Sequence, residues 1–258
     1  MIVKTMVVGR IKKGSRFVRG TIREIGANLV AAQLYPLGLF EKNEVARKHT
    51  KLAINPRPVL LVHGVIHNRS AFVRLKNRME KQGWENVFTM NYSTFHGNIL
   101  QMVEELGRKI ELVMKKTGAK QIDIVAHSLG GIVSRAYMSL GEGRGKVKRL
   151  VTLGTPHQGT HLSFFAKGLS RGALDADLRV DSYLIRLLVG TDLPKTSEIV
   201  SIYSHFDWTV VPTENSRVKG KPVGSFKNIE LEYVGHTGLL YSAEAFDAVV
   251  SSILSPEG

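Results

Sequence analysis

Ser128 stands in Val125-Ala126-His127-Ser128-Leu129-Gly130-Gly131, a small-x-Ser-x-Gly pattern. Its chemistry would be attack of a serine hydroxyl on an acyl carbon. Residues 121–125 before it are apolar and β-favouring, and residues 132–138 after it suit a helix. A strand that reverses sharply into a helix brings the positions two before and two after the serine together, so Ala126 and Gly130 must be small. The turn pushes the hydroxyl out at a helix N-terminus, where backbone N–H groups receive negative charge. The pentapeptide alone is common; the strand and helix around it give it weight.

A serine hydroxyl is a weak nucleophile until a base takes its proton, and the base is normally a histidine oriented by a carboxylate. On a strand–turn–helix scheme the chain order is Ser, acid, His, each on a loop after a strand. His236, in Val234-Gly235-His236-Thr237-Gly238-Leu239-Leu240, follows the last apolar strand and precedes the last helix. His49 and His96 precede the serine, His63 suits a turn, and His127 adjoins the serine but points away from it. His157, His161 and His205 compete for the role. Asp207, in an Asp-x-x-Val-x-Pro run at a strand end, is the best acid, against an ordinary role in a turn. Asp175, Asp177, Asp181 and Asp192 read as surface charges or helix caps. Ser128, Asp207 and His236 are therefore expected to form one hydrogen-bonded chain. The N–H groups of Leu129 and of Val65, just after His63-Gly64, are the expected oxyanion donors.

These residues need a scaffold. Apolar runs at residues 57–64, 86–92, 121–125, 147–153, 198–203 and 229–234 read as strands. Helical spacing fits residues 71–84, 99–113, 132–138 and 241–254. Alternation of the two predicts an α/β fold, a mostly parallel sheet with helices on both faces. Residues 159–194 are too long for a plain connection. They predict a short cap insertion of one or two helices, whose apolar residues include Phe164, Phe165, Leu169, Leu174, Leu178 and Leu188. Its N-terminal half is expected to border the site and its C-terminal half to pack on the sheet.

The chain has 258 residues, no cysteine and a net charge of +14. Absence of cysteine excludes disulfides, thiol nucleophiles and Cys-based metal sites, and fits a reducing compartment such as the cytoplasm. Residues 1–52 hold eleven Lys and Arg against three Glu, more than half of the excess charge. No long apolar core of a signal peptide forms there, because Lys4, Arg10 and Lys12 interrupt it. Residues 25–40 are apolar but too short for the roughly 20 residues of a membrane-spanning helix. The expected division is a basic, partly apolar arm over 1–52 and a catalytic domain over 53–258. Three uses of the arm stay open: packing on the core, peripheral contact with an anionic membrane, and self-association.

Ala126-His127-Ser128-Leu129-Gly130-Gly131, Val62-His63-Gly64, residues 147–160, Asp207 to Pro212 and Gly235 to Leu240 together resemble, in order, small bacterial lipases and esterases of the α/β-hydrolase superfamily. The resemblance covers about residues 58–254. It implies the α/β-hydrolase fold, a catalytic triad and oxyanion hole, and cleavage of carboxylic esters through an acyl-enzyme. It implies no cofactor and no metal for the chemistry. The single hydrophobic residue after His-Gly, Val65, implies medium to long acyl chains and a lipid or small ester substrate. Phospholipase, thioesterase or acyltransferase activity would use the same residues, and a hydrolase-like binding module is the non-enzymatic alternative. Nucleic acid is not expected, since no helix-turn-helix, RNA-binding or zinc motif accompanies the charge.

Overall fold

The computed structural model describes residues 2–40, 44, 46, 54–94, 98–166, 173–220 and 225–254, the side chains of 2–14, 164–166, 173 and 225 excepted. The expected division at 52 and 53 lies outside the described residues, as do His49, His96 and Leu169 and the side chains of Phe164 and Phe165.

The apolar runs form β1 (Val59–Val62), β2 (Val87–Met90), β3 (Ile122–His127), β4 (Val147–Leu153), β5 (Glu198–Ser204) and β6 (Ser225–Leu231). They make one sheet in the order β2-β1-β3-β4-β5-β6, with every neighbouring pair parallel. Alternate side chains serve two cores. Leu60, Val62, Ile124, Ala126 and Leu150 pack beneath α3 (Ile99–Thr117) and α4 (Leu129–Leu140). Val59, Leu61, Val125, Val151 and Val200 pack beneath α2 (Val73–Lys81) and α7 (Ala243–Leu254). Burial on both faces is why the central strands are apolar throughout. α3 shows the logic of the crossovers. Met102, Leu106, Ile110 and Val113 face inward, Asn98 and Gln101 form a capping box, and Gly118 ends the helix at φ 71°.

β6 begins and ends earlier than expected. As the sheet's edge it exposes Lys227 and Glu230, so its run is less apolar than the loop residues up to Val234 that follow it. In the cap insertion a 3-10 turn (His161–Ala166), α5 (Ala173–Leu178) and α6 (Tyr183–Gly190) are described. Leu174, Leu178, Ile185 and Leu188 are buried in the α4-side core, so the C-terminal half packs as expected. Asp175, expected to be a surface charge or a helix cap, is buried instead. It accepts from Ser163 Oγ at 2.9 Å and pairs with Arg179 at 2.5 Å, which offsets its desolvation.

The N-terminal residues form a helix, α1 (Ile2–Leu34), followed by a 3-10 turn, Tyr35–Gly38. α1 lies on the domain through Gly20 and Ala27, and the Phe17 ring meets Phe206 edge-on at 5.3 Å. Beyond it, Asn68 Nδ2 donates to Tyr35 O, Arg69 donates to the carbonyls of Leu37 and Phe40, and Asn91 Nδ2 donates to Gly38 O, all within 3.0 Å. No helix among the described residues is long and apolar enough to cross a membrane.

Candidate active site

β3 runs straight into α4 through Ser128, whose backbone has φ 53° and ψ −123°. That conformation costs a non-glycine residue about 1–3 kcal/mol, so its surroundings must hold it. Ser128 N donates to Leu153 O at 2.9 Å, its carbonyl accepts from Thr155 Oγ1 at 2.9 Å, and Gly131 N closes the turn at 3.0 Å. A side chain at Gly130 would run into the carbonyl oxygens of Val62 and His63. The glycine is thus required by the end of β1, which carries the adjoining loop. A Cβ on Gly64 would sit 2.8 Å from Ser128 Cβ, so that loop reaches the serine side chain.

His236 Nδ1 lies 2.6 Å from Asp207 Oδ2. Asp207 is wholly buried, and its other oxygen accepts from Thr209 N at 2.8 Å and Val210 N at 3.2 Å. A carboxylate only accepts, so the proton is on Nδ1 and Nε2 is left as the acceptor of a neutral ring. Burial penalises the charged ring. The charge and hydrogen bond of Asp207, with the charge of Glu24, outweigh this and raise His236 above the ordinary 6.5.

His127 stands against His236, and His67 stands edge-on against His127 at 5.8 Å between centroids. The His127 ring lies 4.6 Å from that of His236 between centroids, and His127 Nε2 donates to His236 O at 3.1 Å. His127 ties the Ser128 turn to the loop carrying His236, and its Nδ1 and Ser128 Cβ both lie against Gly64. Burial holds His127 well below the usual histidine range, and burial with the nearby His236 charge lowers His67 to about 4. Both stay neutral at pH 7, and neither has a carboxylate partner among the described residues. Ser128, the end of β3 and the His236–Asp207 pair are thus brought together through His127. Among the described residues Ser128 Oγ makes no hydrogen bond to His236, so the expected chain is closed at its acid end only. Such bonds commonly tighten when substrate is bound.

The competing histidines are otherwise engaged. His157 is buried, with Nε2 2.9 Å from Thr152 Oγ1 and Nδ1 beside Arg135. His205 is half exposed and contacts Glu230 at 3.0 Å. His161 is exposed on the cap. His63 is buried under Tyr92, with stacked rings 4.4 Å apart, and Tyr92 Oη donates to its carbonyl. This fixes the turn that presents Val65. Among the described residues the amides of Val65 and Leu129 donate to no protein acceptor. Leu129 opens α4, whose unsatisfied N-terminal N–H groups carry partial positive charge.

One contributor came from outside the motifs. Glu24 of α1 accepts from Thr237 N and Gly238 N at 2.8 Å each, immediately after His236. Its sequence signal is slight: it is the one acid in α1 among seven basic residues.

Residues 53–171 match the family described as the PGAP1-like alpha/beta domain. Lecithin-cholesterol acyltransferase-like 4 of Arabidopsis thaliana is 24% identical over 110 residues, 40% of this chain and 21% of that protein. The match thus spans about a fifth of that relative's length. Mature lipase BlEst2 of Bacillus licheniformis has a TM-score of 0.61 at 15% identity, covering 82% of this chain and 96% of that one. Lipase B of Aspergillus fumigatus has a TM-score of 0.62 at 16% identity, covering 82% of this chain and 56% of that one. At such identities the likeness is one of fold.

Proposed function

Starting from a chain with the α/β-hydrolase fold shared by lipases and esterases, we propose that it is a serine hydrolase cleaving carboxylic esters of medium to long acyl chains. The observation that carries this is the His236–Asp207 pair at 2.6 Å, which leaves Nε2 as a proton acceptor beside the Ser128 turn. Ser128 Oγ attacks the acyl carbon while Nε2 takes its proton. The amides of Val65 and Leu129 hold the oxyanion. The imidazolium then protonates the departing alkoxide, leaving an acyl-enzyme, and water repeats the steps to release the acid and restore Ser128. An alcohol in place of water would give acyl transfer, and transfer to added alcohol would reveal that branch.

Hydrolysis of aryl esters across a series of acyl lengths tests the reading, together with its pH dependence. The base acts only when neutral. Because Asp207 favours the imidazolium, kcat/KM is expected to rise with pH through a midpoint above the ordinary 6.5. A flat profile between about pH 5 and 8 would rule out a histidine base.

We propose further that the enzyme works on an anionic lipid surface, against which α1 lies. Val18, Ile22, Ile25 and Leu29 fall on one stripe of α1, opposite Gly20, Glu24 and Ala27, and all four are exposed. Leu37, Leu39 and Phe40, which follow α1 in the chain, are exposed as well, Phe40 by 79%. Seven basic residues share α1 with this stripe, and its lone acid faces the protein. Apolar burial of about 1.5–3 kcal/mol per large side chain and about 1 kcal/mol per basic residue at an anionic surface would act together. The full chain is expected to sediment with anionic vesicles and less with zwitterionic ones. Ile22→Asp with Ile25→Asp should reduce that binding at least about tenfold, since each places a charge in apolar surroundings. Equal recovery from both vesicle types, or a dimer that the double substitution dissolves, would overturn the proposal.

A further inference from the structure

The positions three and four residues from Glu24 along α1 are Gly20, Thr21, Ala27 and Asn28, so no cation of its own helix is placed to pair with it. Glu24 instead turns inward and spends both oxygens on backbone, Oε1 on Thr237 N and Oε2 on Gly238 N. Asn28, one turn further along α1, braces the arrangement. Its Nδ2 donates to Glu24 O at 2.8 Å, and its Oδ1 accepts from Thr237 Oγ1 at 3.0 Å. Gly235 lies against the same carboxylate, so closely that a side chain there would collide with it. The residues around His236 are therefore gripped from two sides. His127 holds its carbonyl, and Glu24 holds the next two amides.

We infer that Glu24 is a positioning residue for His236: α1 fixes the loop that carries the imidazole and keeps a second carboxylate within electrostatic reach of the ring. This rests on the reading of His236 as the base. The titratable groups around the ring are Asp207 from the loop after β5, His127 from the end of β3, His67 from the loop after β1, and Glu24 from α1. The two histidines are neutral at pH 7, so the carboxylates of Asp207 and Glu24 supply the charge. Asp207 sets the tautomer; Glu24 sets where the ring stands and adds to its basicity.

The test uses the full chain. The His236 ring is titrated by NMR, and kcat and KM are followed against pH, in the wild type, Glu24→Gln, Glu24→Asp and Ser128→Ala. Glu24→Gln removes the charge and turns an N–H donor toward one of the amides. It is expected to lower the His236 midpoint and the pH–rate midpoint together. It should lower kcat about ten- to a hundredfold, the cost of misplacing a reacting group by about 1 Å, with little change in KM. Glu24→Asp keeps the charge at shorter reach and should restore the midpoint more than kcat. If Glu24→Gln does not fold, Asn28→Ala, which removes the side-chain bonds bracing Glu24 against Thr237, should move the midpoint in the same direction. An unmoved His236 midpoint in the folded variants overturns the inference, including when stability falls, since that is structural support alone. Full activity in Ser128→Ala would instead overturn the reading of the nucleophile, and the NMR titration still decides the role of Glu24.

Discussion

Replacing Ser128 by alanine is expected to lower kcat about a millionfold, and replacing His236 by alanine about as much, with the double variant no slower than either. The non-additivity is the diagnostic part. The hydroxyl is useless without a proton acceptor, and the acceptor is useless without the hydroxyl, so removing either removes the whole covalent route. The residual rate over water would come from the oxyanion donors and from binding. Structure should survive the serine change. The turn is held by Ser128 N and O, on Leu153 and Thr155, with no hydrogen bond from Oγ among the described residues. A Ser128→Ala protein with an unaltered melting curve and near wild-type turnover would end the proposed mechanism. A His236→Ala protein that stayed active while His157→Ala lost activity would move the base elsewhere.

Asp207→Asn is expected to cost about 10⁴-fold in kcat with little effect on stability, and for a reason that can be read from the loop. Asp207 Oδ1 accepts from the amides of Thr209 and Val210, which only an oxygen can do. An asparagine must therefore keep its oxygen there and turn its NH₂ toward His236. Nδ1 then becomes an acceptor, the proton moves to Nε2, and the ring can no longer take the serine proton. Asp207→Ala would give a similar loss with free tautomers, but it would also leave the Thr209 and Val210 amides unpaired. The comparison is made by kcat, melting temperature and the His236 NMR titration in each variant. An Asp207→Asn protein at wild-type turnover would show that Asp207 merely caps its turn.

The parts of the site that obey local rules were readable in the chain. Ser128 needs a strand before it, a helix after it and a glycine two residues on, so residues 121–138 announce themselves. Asp207 and His236 were placed by their order and by the strand ends before them. β6 was displaced because an edge strand with Lys227 and Glu230 outward is less apolar than the loop after it. α1 does not announce itself as a helix, for a related reason. Gly9, Gly14, Gly20 and Gly26 each lower helix propensity by about 1 kcal/mol, and nothing nearby in the chain explains them. Gly20 has a tertiary explanation: a Cβ there would sit 3.0 Å from the Phe206 ring and 3.1 Å from Tyr233 O. Gly26 has open space around it, and the structure offers no reason for it. Glu24 was equally opaque, since its partners are 213 and 214 residues away.

That separation bears on how the molecule is made. During synthesis α1 leaves the ribosome 213 and 214 residues before the two amides that its carboxylate holds. Until then α1 is a basic amphipathic segment with its docking face uncovered, beside strands that can already begin to pair. Contacts so distant in sequence close late and slowly, because the entropy of the intervening loop must be lost first. The residues around His236 therefore gain their second support after the Ser128 turn has formed. On the proposed mechanism, a nascent chain would hold its nucleophile in place before it holds an anchored base.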